Sequence, residues 1–271
     1  VSAGLRDMER ATLLLDQGEY AGAAAANRAA IKTFGDWPPP HNNLAAALFF
    51  DGQVPAAIAE CRQVLAHERE NLQAGVNLVR FLAWSGERTA AEEVWRTLRL
   101  REPQNLPSEA LKLAEGAAIM DDDASIRRWL APLGHWTVAQ FGNWPHYEQA
   151  QRFLAIANAN LGDIKIARMR LRDLQKTGES TAEAVLKELA AKASRGKAAH
   201  IAYFHSYDVM LEERTHAFLE LAAKVNDGDD PQAAKALKDF AARYPQLVLA
   251  AEKLVWEEDK IDLGLFILRF V

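Results

Sequence analysis

Leu14-Leu15-Asp16-Gln17-Gly18-Glu19-Tyr20-Ala21-Gly22-Ala23 closes one run of helically spaced apolar residues and opens another, and its first glycine returns at Gly52 and Gly86, 34 residues apart each time. A fixed interval of that length is what stacked helical units leave in a sequence, because every unit repeats the same turn and the same neighbour contacts. The residues around each glycine keep the interval. Ala11, Ala45 and Val79 stand seven before it, Leu14, Leu48 and Leu82 four before, and Ala23, Ala57 and Ala91 five after. Glycine suits the turn because it enters left-handed backbone angles without a side-chain clash. Leu5, Met8, Leu13, Leu14 and Leu15 have the spacing of a first helix, and Tyr20 to Thr33 reads as an alanine-rich second one. The unit is a helical hairpin.

Small residues at Ala11, Ala23, Ala30, Ala45 and Ala57 let helix axes approach closely. Prolines punctuate the units: Pro38 to Pro40 separate the first from the second, and Pro103 closes the third. Between Ser108 and Gly134 the pattern weakens, and Ala110 to Met120 and Ala124 to Leu133 read as a degenerate hairpin turned by Asp121-Asp122-Asp123. After an insertion holding Trp136 and Trp144, the glycine register resumes at Gly162 and continues at Gly196 and Gly228. Ser180 with Glu183 has the pattern of a capping box, and Asp230-Pro231 that of a helix start. Gln246 to Glu258 and Ile261 to Val271 read as two last helices. Phe34-Gly35-Asp36-Trp37-Pro38 is echoed by Phe141-Gly142-Asn143-Trp144-Pro145, which reads as a repeated packed turn.

These residues resemble the tetratricopeptide repeat family, most clearly over 4–103 and again over 148–245. The resemblance implies an all-α fold: a right-handed superhelical solenoid of antiparallel helix pairs, about seven repeats, with C-terminal capping helices. The expected organisation is an N-terminal array over 1–134 with a degenerate fourth repeat, an insertion over 135–147, a second array over 148–245, and C-terminal helices over 246–271.

Composition narrows the function classes. Lys plus Arg is 32 against 37 Asp plus Glu, a formal charge of −5, with both signs interspersed along the chain. That gives no general attraction to nucleic acid or anionic lipid. Cys61 is the single cysteine, which excludes an intramolecular disulfide and a cysteine zinc cage. No stretch has the roughly 20 apolar residues needed to span a bilayer, and no signal peptide pattern opens the chain, so a cytoplasmic location is expected. The first residue is Val, which reads as a processed product or as part of a longer protein.

The family resemblance implies that the first helix of each hairpin lines an inner curve where ligands bind. Matching helix faces selects Met8, Thr12, Leu15 and Asp16 in the first unit. It selects Asn42, Asn43, Ala46, Phe49 and Phe50 in the second, and Val76, Asn77, Arg80, Ala83 and Trp84 in the third. Phe49, Phe50 and Trp84 would anchor apolar side chains, while Asn42, Asn43, Asn77 and Arg80 would fix a peptide backbone. The competing reading is that Phe49 and Trp84 fill the seam between units. Without lysine, the set is at best a partial clamp for a C-terminal carboxylate.

Lys165, Arg168, Arg172 and Lys176 share one helix face, read here as solvated surface. His200, His205, Asp208, Glu212, Glu213 and His216 form the one cluster of metal-ligand types, with Asp208, Glu212 and His216 spaced by four, although the glycine register predicts a turn near Glu212 that would divide them. Cys61 reads as a packed thiol. No nucleophile elbow, phosphate loop or zinc-protease motif is present, so no catalysis, cofactor or metal is expected. The expected function is a protein interaction scaffold that holds a peptide or helical segment in the concave groove, with neither nucleic acid nor membrane as partner. Two rival readings are a sensor region of a larger signalling or transcription protein, and a metal-dependent enzyme using the His200–His216 region.

Overall fold

A computed structural model describes residues 2–105, 107–137, 139, 144–178, 181–194, 200–226, 231–257 and 260–271. Every regular element among them is helical, as the all-α expectation required. The helices are α1 (Ala3–Asp16), α2 (Tyr20–Phe34), α3 (Pro38–Phe50), α4 (Val54–His67), α5 (Leu72–Trp84), α6 (Arg88–Leu98), α7 (Ser108–Ile119) and α8 (Asp123–Leu130). They continue with α9 (Tyr147–Asn160), α10 (Ile164–Gln175), α11 (Thr181–Ser194), α12 (Ser206–Val209), α13 (Glu212–Asn226), α14 (Pro231–Arg243), α15 (Leu247–Trp256) and α16 (Ile261–Leu268).

The glycine register marks the hairpin turns. Gly18, Gly52, Gly86 and Gly162 have φ of 76°, 79°, 86° and 92°, and in the degenerate fourth hairpin Asp121 takes their place at 56°. In each turn the residue after this position donates its N–H to the carbonyl of the residue five before the donor. The pairs are Glu19 to Leu14, Gln53 to Leu48, Glu87 to Leu82, Asp122 to Ala117 and Asp163 to Asn158, at 2.7 to 2.9 Å. That bond closes the C-terminal end of the first helix as a Schellman motif. The next helix then begins two residues after the glycine or Asp121 in all five hairpins. Ala23, Ala57, Ala91 and Ala167, five after each glycine, are fully buried, and so are Ala11, Ala45 and Val79 seven before the first three. Two helices cross at these points, and any larger side chain would push them apart.

By contacts the chain groups into two compact units, residues 1–94 with 205–271, and residues 95–204. In the first unit the hairpins α1–α2 and α3–α4 and helix α5 are joined by the C-terminal helices. Arg243, at the end of α14, donates from Nη2 to the Asp51 carbonyl at 2.8 Å, and a Cβ on Gly52 would lie 2.7 Å from the Tyr244 ring. Ser206 of α12 donates from its backbone N–H and its hydroxyl to Glu257 at 3.1 and 2.8 Å. In the second unit tryptophans tie the degenerate hairpin to the strand of chain before it. Trp95 Nε1 donates to Asp122 at 3.2 Å and Trp129 Nε1 to the Arg101 carbonyl at 3.0 Å. Arg170 joins α10 to the Gly134 carbonyl at 2.7 Å and to Gln151 at 3.0 Å.

Charge, interspersed along the sequence, is unequal between these units. Residues 95–204 carry 16 Lys and Arg against 12 Asp and Glu, a net of +4, while the other unit carries 16 against 25, a net of −9, together the −5 of the chain.

The structure refines the sequence reading in three places. Pro38 to Pro40 do not merely separate units but form the first turn of α3, where their missing N–H groups would have no helical partner in any case. The glycine register, which continues at Gly196, is not followed by a long helix in the described residues: 200–205 are non-helical and Ser206–Val209 makes a single turn. Asp208 sits on α12 while Glu212 and His216 sit on α13, divided by the turn that the glycine register predicts near Glu212. Gly196, Gly228, Ser180, Asp230 and Phe141-Gly142-Asn143 lie outside the described residues. Pro231 opens α14, and α14 ends at Arg243, ahead of Pro245.

Candidate functional site

The inner-face candidates lie on α3 and α5. Asn71 caps α5 by accepting the Ala74 N–H at 2.9 Å, and the same oxygen accepts from Asn42 Nδ2 at 3.3 Å. Asn42 thus reaches from one unit to the helix start of the next. Asn77 accepts from Gln73 at 3.3 Å, one turn earlier on its own helix. Phe49 is fully buried, stacked on Phe81 with ring centres 4.4 Å apart and 14° between planes, with Phe50 at 5.5 Å and Trp84 at 6.3 Å. Trp84 is buried too, with the Arg80 guanidinium 5.4 Å from its ring centre. Phe50 is half-buried and stacks on Tyr20 at 5.4 Å.

The seven candidates thus divide. Asn42, Phe49, Asn77 and Trp84 are buried, whereas Asn43, Phe50 and Arg80 keep partial exposure. Among the buried ones, Asn42 Oδ1 and Asn77 Nδ2 have no hydrogen-bond partner. A buried amide atom left unbonded costs about 1–3 kcal/mol, and atoms of Asn27, Arg170, Tyr244 and Gln246 are in the same state, so it does not mark this face alone. In the first unit Met8 and Leu15 are half-buried, and Thr12 and Asp16 are exposed.

Two groups beside this face escaped sequence reasoning. His41 is buried on α3 with Nε2 3.0 Å from the Gly35 carbonyl, so that nitrogen donates, while Nδ1 meets the Glu60 carboxylate of α4. The pair fastens α4 to the turn that precedes α3. A histidine after three prolines carries no periodic signal, and only the helix crossing pairs it with Glu60. Cys61, next to it, is fully buried, and burial together with the Glu60 charge pushes its thiol up to about 12. It is a packed, unreactive thiol, as expected.

A family comparison bears on these hairpins directly. The tetratricopeptide repeat model matches residues 48–114, from the end of α3 through the Gly52 and Gly86 turns into α7. This segment is similar to the tetratricopeptide repeat. The matched segment includes α4 and α5, and with them Asn77, Arg80 and Trp84. A solved structure, the TPR domain of P58(IPK), aligns with 98% of this chain and 82% of its own at 15% identity and a TM-score of 0.36. No curated protein matches the sequence.

Elsewhere, His216 and Glu212 face each other at 3.9 Å on α13, and the His205 N–H is capped by Asp208 at 2.7 Å. Among the described residues no three potential metal ligands converge. A denser polar cluster surrounds Asp123 in the second unit. Its carboxylate accepts from Asn160 at 2.9 Å and from the Tyr203 hydroxyl, and lies 3.4 Å from His200. Asn160 also exchanges two bonds with the backbone of Ile201, at 2.7 and 3.1 Å, which fastens segment 200–204 to α8 and α9. Among the described residues no helix is long and apolar enough to cross a membrane.

Proposed function

We propose that the chain is a protein interaction scaffold whose tetratricopeptide hairpins hold an extended segment of another protein along α3 and α5. The observation that carries this reading is the polar and aromatic edge that these two helices leave partly exposed. Asn43, Phe50 and Arg80 form the accessible rim through which the segment would engage. Phe49 and Trp84 support that rim from below and do not themselves contact the partner, because their side chains are spent on Phe81, Phe50 and Arg80. No catalytic step is assigned.

Selection of a random peptide library on the full chain tests the reading. Peptides that bind should lose affinity in Asn43→Ala and in Arg80→Ala with the helical signal intact. Peptides indifferent to both changes, or a selection that enriches nothing, overturn it.

A further inference from the structure

On α10 a row of cations is left without partners among the described residues. On α10 the buried side chains are Ala167, Leu171 and Leu174. At 100° per residue, Lys165, Arg168 and Arg172 gather on the outward side at positions i, i+3 and i+7, and all three are exposed. Cations around them are engaged: Arg127 with Asp163 at 2.9 Å, Lys176 with Asp173 at 2.6 Å, and Arg170 with the Gly134 carbonyl. Lys165, Arg168 and Arg172 make no ion pair or hydrogen bond among the described residues. Like charges at this spacing repel along a helix, so the row opposes helix formation and gains nothing inside the molecule. Beside it Met169 and Ile166 stand 56% and 42% exposed. The unit that bears this face is the one with net charge +4.

We propose that this face of α10 docks an acidic amphipathic helix of a partner protein. Carboxylates at helical spacing would meet Lys165, Arg168 and Arg172, and an apolar side chain would cover Met169 and Ile166. A protein segment fits better than a polyphosphate chain. No aromatic side chain on this face could stack a base. The unbranched thioether of Met169 adapts to an apolar neighbour, which has no use against a sugar-phosphate backbone. This surface is separate in sequence from the α3 and α5 rim, and neither depends on the other.

The test uses the full chain and a labelled synthetic peptide with glutamates at i, i+3, i+4 and i+7 and leucines on the adjoining row. Binding is followed by fluorescence anisotropy. It should weaken about tenfold or more in Arg168→Glu/Arg172→Glu, and likewise as salt rises from about 0.05 to about 0.5 M. Met169→Asp, and a peptide with serine for leucine, should each weaken it too, whereas Asn43→Ala should leave it unchanged. If the charge-reversed chain fails to fold, Arg168→Gln/Arg172→Gln should give the same loss. Absence of peptide binding, binding indifferent to the arginine changes or to leucine, or tighter binding of duplex DNA or of phosphatidylserine vesicles would overturn the proposal.

Discussion

Arg243 donates through Nε and Nη2 to the backbone carbonyl of Asp51, at 3.2 and 2.8 Å, although 192 residues separate the two in sequence. Its guanidinium also lies 3.6 Å from the Asp51 carboxylate and 5.3 Å from the ring of Tyr244. The turn of the second hairpin is therefore a docking point for the end of α14, besides being a reversal of the chain. Glu213 and Arg214 of α13 act on Tyr20 in the same unit, whose hydroxyl is raised above its ordinary pKa by burial first and by the Glu213 charge second.

This gives Gly52 two duties where Gly86 has one. Both have left-handed φ, so replacement by alanine costs each about 1–2 kcal/mol of backbone strain. A Cβ at Gly86 meets nothing within 4 Å, whereas one at Gly52 would approach Tyr244 to 2.7 Å and Arg243 to 2.8 Å. Tyr244 is nearly fully buried against Phe240 and cannot easily withdraw. Gly52→Ala should therefore lose about 1–3 kcal/mol more than Gly86→Ala in urea unfolding. It should also speed hydrogen exchange in α14, and equal losses for the two variants would refute the docking role.

Cys61 offers a probe of hairpin opening. With its thiol pushed up to about 12 and fully buried, almost no thiolate is present at neutral pH, so alkylation must wait for α4 to leave its neighbours. Labelling by iodoacetamide at pH 8 should be slow in the native chain and rise with sub-denaturing urea. Rapid stoichiometric labelling without denaturant would contradict the packing.

The hairpins were legible because a local device repeats: a glycine that ends one helix, a leucine carbonyl four before it that accepts the closing bond, an alanine five after it at the crossing. Each lies within a few residues of the others, so sequence spacing carries it. Asp121 shows that even the degenerate turn could be located, because aspartate is among the few side chains tolerated at left-handed angles. The non-helical stretch 200–205 has the opposite cause. Segment 200–204 is fixed by Asn160 and Asp123, some 40 and 80 residues away, and local spacing cannot register such partners. Helix-face matching could assign the candidate residues to their helices, but it could not separate buried Phe49 from half-exposed Phe50. That difference depends on Phe81 and Tyr20 arriving from other helices.

The same separation yields a mutational contrast. Phe49→Ala removes a fully buried ring stacked on Phe81 and should cost about 3–5 kcal/mol of stability. Arg80→Ala removes a half-exposed side chain resting on Trp84 and should cost about 0.5–1 kcal/mol. Thermal melts followed by circular dichroism would rank the two. A Phe49→Ala chain as stable as the parent would return Phe49 to the list of partner contacts.

Asp123 should make stability depend on acidity. Burial acts to raise its pKa, but the donors His200, Tyr203 and Asn160 outweigh that and hold the carboxyl below the usual aspartate range. A carboxyl depressed in the folded state binds its proton more weakly there than in the unfolded chain. It therefore stabilises fully above the unfolded value, near pH 4, and the contribution fades as pH falls through the folded value. Asp123→Asn should be less stable than the parent at pH 7 and approach it as the pH drops below about 4, because the parent loses this contribution and the variant never had it. Urea midpoints across that range would show the two curves converging. Curves that stay parallel would mean that the carboxylate charge has no part in holding segment 200–204.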